Sequence, residues 1–432
     1  MKVCSEVQGF APHLTEGPPH PTRGRDPKAE PFAGSGAVPR PSAMTFDLNR
    51  VPGSKIVEVA RLAFATLGVD LLCFGESDQP GPVAARDAAI AALMEDDTKY
   101  ADVRGLPVLR QALAHYLTGL HARAVDESQI QVTASGMTAL AVALAATVRA
   151  GDRVVIHSPA WPNAGNAALS RGAQVEEIEL VRGPDGIFRL DLDRLDQMMR
   201  GARLFILNSP NNPTGWTASL DELSAILDIA RRHGSWLISD EVYSRLTYGG
   251  AETAPSVLDI AEPDDRVLVC NSFSKTWIMT GWRLGWIVVP PGLLDVFTDL
   301  VEVTHSCVAP FVQRAGLAAI GDTETITRFR AHCARGRALV GEALTGLNGV
   351  IYVAPAGAFY AFAGIEGLTD SLAFAKRLVT DHKVAVAPGA AFGASGEGSL
   401  RICFAQSEDR LVRAMERLRQ GVRQGVRTER VE

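Results

Sequence analysis

Cysteine is scarce in this chain of 432 residues, and its six cysteines are scattered without a Cys-x-x-Cys pair. A chain of this length can bury a large apolar core without disulfides, so the pattern predicts reduced thiols and no metal site. No apolar run reaches the roughly 18 residues that a membrane-spanning helix needs. Positive charge is not in excess either, because the formal net charge is −6, which argues against a general nucleic-acid binder. These absences predict a cytoplasmic globular protein with neither membrane nor nucleic-acid partners.

The first 43 residues differ from the rest, because eight prolines interrupt them and glycines separate the prolines. Proline breaks helices, and a segment with so few apolar residues cannot bury a core. The segment also lacks the apolar centre of a signal peptide and the amphipathic pattern of a transit helix. Residues 1–43 are therefore predicted to be disordered, or to be an upstream extension before Met44, and they are left out of the predicted fold.

Strand patterns alternate with helix patterns from residue 129 to residue 289, which is typical of a parallel, doubly wound sheet. One helix in this region is predicted from Leu190 to Met199. Another is predicted to open at Ser219 and Glu222, because serine followed three residues later by glutamate forms a capping box, and to stop at Gly234.

Beyond residue 320 the pattern changes to a long helix followed by short strands and helices, among which the strands 349–353 and 359–363 are predicted to pair. A chain of this size is expected to form two domains. We therefore predict an α/β protein with a large domain, residues 81–320, that holds a mostly parallel doubly wound sheet. A smaller α+β domain is predicted to combine the N-terminal segment 44–80 with residues 321–432.

A lysine and an arginine follow the apolar run that ends at Cys270. Lys275 stands in the sequence Ser272-Phe-Ser274-Lys275, and Arg283 stands in Gly-Trp-Arg-Leu-Gly, which opens the next apolar run. An amine at a strand exit can form a Schiff base with a carbonyl if its surroundings keep it partly deprotonated. The serines and the planar fork of Arg283 could bind a phosphate. Alone, Ser-x-Lys is weak and equally describes an exposed lysine.

Other candidate groups follow further predicted strands. Ser135, Gly136 and Met137 form a turn that leads directly into a helix, and helix N-termini offer free N–H groups and a positive dipole to a phosphate. Trp161 could be packing, or a platform for a flat ring. Asp240 could be merely solvated, although a carboxylate at a strand end can also keep a pyridine nitrogen protonated.

The longer motifs together resemble one family. Ser-Phe-Ser-Lys, Gly-Trp-Arg-Leu-Gly, Pro-Asn-Asn-Pro-Thr-Gly, Asp-Glu-x-Tyr and Leu-Arg-Ile are similar to the signatures of class I/II aminotransferases, the fold type I enzymes of the aspartate aminotransferase superfamily. The resemblance runs from about Met44 to the C-terminus. It implies pyridoxal 5′-phosphate (PLP) as the cofactor, and neither the resemblance nor the composition implies a metal.

The resemblance also implies roles for single residues. Lys275 would hold the cofactor as an internal aldimine and act as the catalytic base and acid. Asp240 would bind the ring nitrogen, Asn212 and Tyr243 the 3′ oxygen, and Trp161 would stack on the ring. The remaining cofactor-binding residues would be those around the phosphate: Ser135, Gly136, Met137, Ser272, Ser274 and Arg283.

Two substrate contacts and a subunit contact are implied in the same way. Arg401, at the start of an apolar strand, would clamp the substrate α-carboxylate, with Gly75 and Asn212 beside it, although a surface arginine is the plainer interpretation of the strand alone. Tyr100 would reach the cofactor phosphate of the neighbouring subunit, which implies a homodimer. By itself, Tyr100 is better explained as a boundary aromatic with its hydroxyl in water.

The implied function is transfer of an amino group from an α-amino acid to a 2-oxo acid, through the Lys275 aldimine and pyridoxamine phosphate. The alternative is another PLP reaction on the same fold, such as β-elimination of a C–S bond or oxidation, because these enzymes share the same lysine, aspartate and arginine. A non-catalytic regulator that senses a ligand is a third hypothesis. An intact set of cofactor residues argues against it.

The substrate side chain is less well determined. Some aspartate-using relatives carry a lysine after the glycine of the phosphate turn, and it pairs with the distal carboxylate; here that position is Met137. The sequence therefore favours neutral or apolar amino acids over aspartate. His305 is a weak candidate for a side-chain contact, and a surface or core histidine is the more common alternative.

Overall fold

The computed structural model of the protein describes residues 51–121 and 123–428, with side chains up to residue 424. The prediction for residues 1–43 lies outside these ranges. The described strands are β1 Asp70–Leu71, β2 Ile130–Thr133, β3 Arg153–Ser158, β4 Gln174–Arg182, β5 Phe188–Leu190, β6 Leu204–Asn208, β7 Trp236–Asp240, β8 Val267–Ser272, β9 Gly285–Val288, β10 Val350–Ile351, β11 Tyr360–Ile365, β12 Val384–Ala385, β13 Ala387–Pro388 and β14 Ser399–Cys403.

Helices alternate with these strands through most of the chain. The described α-helices are α1 Lys55–Phe64, α2 Val83–Met94, α3 Pro107–Leu120, α4 Gly136–Thr147, α5 Pro162–Leu169, α6 Leu192–Met199, α7 Leu220–His233, α8 Phe273–Thr276, α9 Leu294–His305, α10 Pro310–Ile320, α11 Thr323–Leu344, α12 Ser371–His382 and α13 Glu408–Thr428.

The central sheet has eight strands in the order β2-β9-β8-β7-β6-β3-β4-β5. Strands β8, β7, β6, β3 and β4 run parallel, whereas β9 is antiparallel to β2 and β8, and β5 is antiparallel to β4. The predicted α/β fold with a mostly parallel sheet is confirmed. Because parallel strands end at one edge of the sheet, the segments that follow β3, β6, β7 and β8 meet there.

Two clusters of buried apolar side chains cover the two faces of this sheet. Alternate residues of a strand enter different clusters, since side chains alternate across a strand. In β6, Leu204 and Ile206 belong to one cluster, and Phe205 and Leu207 belong to the other. A helix layer on each face therefore buries both surfaces of the sheet.

A third apolar cluster joins the first helix to the C-terminal part of the chain. Val59, Ala60 and Ala63 of α1 pack with buried residues of β11, β14 and helices α11 to α13. An antiparallel sheet in the order β10-β11-β14-β13 forms the centre of this cluster, and β1 pairs in parallel with β12. The strand pairing predicted for 349–353 and 359–363 is confirmed as β10 and β11. The domain boundaries at residues 80 and 320 stay predictions.

The start of α7 has the capping box that its sequence predicts. The Ser219 hydroxyl accepts from the Glu222 N–H at 3.2 Å, and the Glu222 carboxylate accepts from the Ser219 N–H at 2.8 Å. Gly234 ends the helix in the left-handed conformation. The prediction of a helix from Leu190 was wrong at its start, because Leu190 pairs with Leu180 in the β4–β5 hairpin. The helix begins only at Leu192.

Among the described helices, none combines the length and the apolar character needed to cross a membrane.

Replacement of Ser219 by Ala should speed amide hydrogen exchange in the first turn of α7 by about fivefold, because loss of a capping hydroxyl costs about 1 kcal/mol. Ser224→Ala is the matched control, since the Ser224 hydroxyl bonds the Leu220 carbonyl within the same helix and alanine favours the helix interior. Exchange mass spectrometry of the peptide that begins α7 measures both. Equal exchange in the two variants would contradict the capping role.

Candidate active site

A cavity of about 520 Å³ lies where the strands of the central sheet end. The last residues of β6, β7 and β8 line it, and so does the segment that follows β3. The turn before α4, the segment after β1 and the strand β14 complete the lining. Twelve of the fourteen residues predicted for the site line this cavity: Gly75, Gly136, Met137, Trp161, Asn212, Asp240, Tyr243, Ser272, Ser274, Lys275, Arg283 and Arg401.

Lys275 projects from the short helix α8, directly after β8. Its Nζ donates a 2.6 Å hydrogen bond to the Gly75 carbonyl, and it lies 5.8 Å from the centre of the Phe359 ring. Burial lowers the pKa of this amine to about 8, because a buried ammonium loses its hydration. The neutral, nucleophilic form of the amine is therefore more populated near neutral pH than in an exposed lysine, and the ammonium form still predominates.

Asp240 ends β7 at the floor of the cavity. Within the described chain its carboxylate receives one hydrogen bond, a long contact of 3.4 Å from the Val242 N–H, and no ion pair. Burial raises the pKa of this carboxyl to about 6. A buried carboxylate with so few donors can accept a strong bond from a cationic N–H group.

The first turn of α4 lies directly against β8 and β9, since a Cβ built at Gly136 would lie 3.0 Å from the Ser272 Cβ and one at Gly285 would lie 2.6 Å from the Gly136 nitrogen. The Ser135 hydroxyl caps the helix by accepting from the Thr138 N–H at 3.1 Å, and Ser135 has a φ of 121°, which is rare for a residue with a side chain. Gly136 and Met137 begin the helix and line the cavity, where the positive end of the helix dipole attracts an anion. Ser272 and Arg283 line the same region.

Arg283 is an exposed cation at this end of the cavity. Its guanidinium donates to the Thr280 carbonyl at 2.6 Å, and no carboxylate pairs with it among residues 51–121 and 123–424. Its backbone is left-handed, with φ 57°, which places the side chain beside Ser272 and Ser274 in the lining. The group is thus available to an anion.

Arg401 and Asn212 contact each other in the lining of the cavity. Arg401 Nη1 donates to Asn212 Oδ1 at 3.0 Å, and Nη2 donates to the Cys73 carbonyl. Nε of Arg401 is buried and lacks a partner among the described groups. With Oδ1 of Asn212 occupied, its amide Nδ2 remains as a donor at the cavity.

Two of the predicted residues lie outside the lining. Ser135 is buried just behind it as the cap of α4, so it supports the turn. Tyr100 lies on the surface with 91% of its area exposed, so it does not line the cavity of its own chain. His305 does not line the cavity either. Its Nε2 accepts from the Ala134 N–H at 2.9 Å, so it supports the same turn before α4.

Sequence reasoning missed several lining residues. Tyr360, on β11, has its hydroxyl 2.7 Å from the Tyr243 hydroxyl. Asn208, at the end of β6, accepts from the Asn212 N–H and donates to the Asp240 carbonyl. Buried His157 accepts from the Asn208 N–H at 3.0 Å, and burial lowers the pKa of its ring to about 4. A polar residue ending an otherwise apolar strand was the only available signal for Asn208.

Known proteins similar to this chain agree on one family. The profile of the family Aminotransferase class I and II matches residues 66–418. The aspartate aminotransferase of Pyrococcus horikoshii is 33% identical over 373 residues, which cover 84% of this chain and 93% of that protein. The aromatic-amino-acid aminotransferase 2 of Thermococcus litoralis is 31% identical over 383 residues, covering 87% of this chain and 97% of that protein.

A solved structure repeats the fold. The crystal structure of aspartate aminotransferase from Thermotoga maritima superimposes with a TM-score of 0.81 at 30% identity, and it covers 86% of this chain and 98% of that one. The fold and the site define a PLP-dependent α/β enzyme that acts on amino groups. The chain belongs to the class I and II aminotransferases.

It is accordingly a PLP-dependent transaminase, which moves an amino group from an amino acid to a 2-oxo acid. These relatives do not favour the predicted alternative of β-elimination or oxidation. The described residues also fit the cofactor. The cavity offers an amine of lowered pKa for an aldehyde, a carboxylate with one weak donor for a ring nitrogen, and an unpaired guanidinium beside a helix N-terminus for a phosphate.

Replacement of Gly285 by Ala should weaken PLP binding about tenfold or more. A Cβ at Gly285 would lie 2.6 Å from the Gly136 nitrogen and 2.8 Å from the Asn271 carbonyl, so β9 would have to move away from α4 and β8, and such overpacking costs about 1–3 kcal/mol.

The matched control is Gly281→Ala, in the same loop, where an added Cβ meets nothing within 4 Å. Titration of the apo-protein with PLP measures both affinities. If Gly281→Ala weakened binding as much as Gly285→Ala, the close approach of α4 to the hairpin would not be the cause.

Proposed function

We propose that Lys275 is the catalytic residue of the transaminase and binds PLP covalently through Nζ. Its buried amine and its place at the centre of the cavity support this role. When bound, PLP supplies an electron sink for negative charge at the substrate Cα. Lys275 then removes the proton from Cα and returns one to the product, acting as general base and acid.

The other cavity residues receive roles that match their contacts. Asp240 would keep the ring nitrogen protonated through its carboxylate, and Trp161 would cover one face of the ring. Asn212 and Tyr243 would donate to the 3′ oxygen. The phosphate would be bound by the N-terminus of α4, which consists of Ser135, Gly136 and Met137. Ser272, Ser274 and Arg283 would supply the other donors.

Substrate binding is assigned to Arg401, with Gly75 and Asn212 beside it. The guanidinium is buried and lacks an acidic partner in the described chain, and one of its N–H groups is free. A carboxylate of an amino acid matches its planar fork. The clamp would orient the Cα–H bond toward Lys275, which explains why both groups line one cavity.

For the substrate side chain we propose an apolar or aromatic group. The observation that carries this proposal is the charge of the described cavity lining, whose cations are Lys275, Arg283 and Arg401. All three already have roles, so none remains for a distal carboxylate. Apolar side chains occupy the rest of the lining near the substrate, from Ile56, Val57, Phe74 and Met137. The names of the Pyrococcus and Thermotoga relatives would instead favour aspartate.

We propose further that the active unit is a cytoplasmic homodimer. Tyr100, Met94 and Val303 expose 91%, 82% and 81% of their surface, and the Ala101 N–H contacts the Cys307 sulfur at 3.4 Å, which brings these segments near one another. Burial of such a face by a second copy would carry Tyr100 to the partner's phosphate group.

The separate cores of the central sheet and of α1 with the C-terminal elements support the proposed domains 44–80 plus 321–432 and 81–320.

Lys275→Ala should reduce transamination by more than about 10³-fold, because it removes both the covalent anchor and the proton carrier. Lys376→Ala, which loses an exposed ion pair with Glu58, is the control and should keep full activity.

The measurement is the visible spectrum of each purified protein mixed with one amino acid and then with a 2-oxo acid. Loss of the yellow absorbance and its recovery on addition of the 2-oxo acid indicate transamination. Normal turnover in Lys275→Ala would refute the assignment, and product release without any need for a 2-oxo acid would indicate lyase or oxidase chemistry.

Met137→Lys should raise kcat/KM for aspartate relative to phenylalanine by about 10- to 100-fold, because a charge-assisted contact to the distal carboxylate is worth about 1.5–3 kcal/mol. Met137→Leu is the control, since it keeps an apolar side chain and should leave the ratio unchanged. Steady-state rates with both amino acids and one common 2-oxo acid give the ratios. A wild-type protein that prefers aspartate to phenylalanine and leucine would contradict the proposed substrate class.

A further inference from the structure

Tyr360 connects three parts of the cavity that have separate roles. Its hydroxyl lies 2.7 Å from the Tyr243 hydroxyl. The central guanidinium carbon of Arg401 lies 4.5 Å from the centre of its ring. A Cβ built at Gly75 would overlap the Tyr360 hydroxyl, so the glycine backbone packs directly against this group. Tyr360 is fully buried, and each of these neighbours belongs to the cofactor or substrate site.

The direction of the hydrogen bond between the two phenols follows from counting protons. Each neutral phenol has one proton to donate, and burial raises the pKa of both Tyr243 and Tyr360, so both remain neutral. If Tyr243 donates its proton to the cofactor's 3′ oxygen, it has none left for Tyr360. The 2.7 Å contact then requires that Tyr360 donates and Tyr243 accepts.

We propose that Tyr360 is a positioning residue that donates to the Tyr243 hydroxyl and thereby strengthens Tyr243 as a donor to the 3′ oxygen. The inference rests on the proposed role of Tyr243. Hydrogen bonds in a chain polarise one another, and a donor to an oxygen that can ionise stabilises the deprotonated form. Tyr360 therefore lowers the pH at which the bound cofactor changes its visible absorbance.

The hydroxyl can be tested apart from the ring. Phenylalanine at position 360 keeps the aromatic face against Arg401, and it removes the hydroxyl together with its proton and its contact to Gly75. A shift that came from the lost Gly75 contact would persist in the Tyr243→Phe background. Tyr352→Phe is a matched control: this tyrosine also packs against the C-terminal core, and its buried hydroxyl makes no hydrogen bond among the described residues. A shift caused merely by loss of a buried hydroxyl would appear in both variants.

The experiment is a pH titration of the visible absorbance of the PLP-loaded wild type, Tyr243→Phe, Tyr360→Phe, Tyr352→Phe and the double variant Tyr243→Phe/Tyr360→Phe. A hydrogen bond to a charged group is worth about 1.5–3 kcal/mol, so Tyr243→Phe should raise the midpoint by about 1–2 pH units. Strengthening by roughly 10–30% predicts a rise of about 0.1–0.6 units in Tyr360→Phe. Tyr352→Phe should match the wild type, and the double variant should match Tyr243→Phe.

Each of the other possible results contradicts one step of the proposal. A wild-type midpoint in Tyr360→Phe, with a shifted midpoint in Tyr243→Phe, overturns the role of Tyr360 and leaves the proposed function intact. A Tyr360→Phe shift that persists in the Tyr243→Phe background shows that Tyr360 does not act through Tyr243. An unshifted Tyr243→Phe variant removes Tyr243 from the 3′ oxygen and overturns both assignments.

Discussion

The buried guanidinium of Arg401 joins parts of the chain that are distant in sequence. It donates to Asn212 and to the Cys73 carbonyl, and the rings of Tyr360 and Phe392 lie 4.5 and 4.9 Å from its central carbon. A buried cation that contacts only neutral groups is unfavourable, because hydrogen bonds to carbonyls replace only part of its hydration. In the proposed role of Arg401, a substrate carboxylate supplies the missing opposite charge. The site would then select for acids through a cation that lacks an acidic partner in the described chain.

Burial also disfavours the charged forms of the two titratable groups at the centre of the cavity. Because one is an acid and the other a base, their pKa values shift in opposite directions. Burial raises the pKa of Asp240 to about 6, so the stability present when this carboxyl is protonated is lost as pH rises through about 6. Burial lowers the pKa of Lys275 to about 8, so the stability present when this amine is neutral is lost as pH falls through about 8. Between these values both groups are charged and unfavourably buried. A cofactor that takes up the amine covalently and pairs the carboxylate with a ring N–H removes both penalties.

The residues at the strand ends could be predicted from the sequence because local order places them. Asp240 ends the apolar strand β7 and Lys275 follows the end of β8 by three residues, and parallel strands bring such positions to one edge. Tyr360 could not be found in this way, since its hydroxyl partner lies 117 residues away, in the turn after β7. Nothing in the local pattern distinguishes Tyr360 from the core aromatic Phe359 beside it. Tyr243 and Tyr360 belong to one apolar cluster that joins segments distant in sequence, and no local pattern of the sequence indicates such a contact.

The positions proposed to bind the cofactor and those proposed to face the substrate side chain differ in burial. Asp240, Asn212 and Tyr243 are buried, and each side chain makes a hydrogen bond, so a substitution there leaves the partner group without that bond. Met137 is half-buried and Val57 is exposed, and both line the cavity through apolar contact alone. Exchange of such side chains alters charge and shape without leaving a buried polar group unpaired. A scaffold built in this manner can change which amino acid it accepts as substrate and keep the same reaction. This accounts physically for relatives of one fold that bear the names of aspartate and of aromatic aminotransferases.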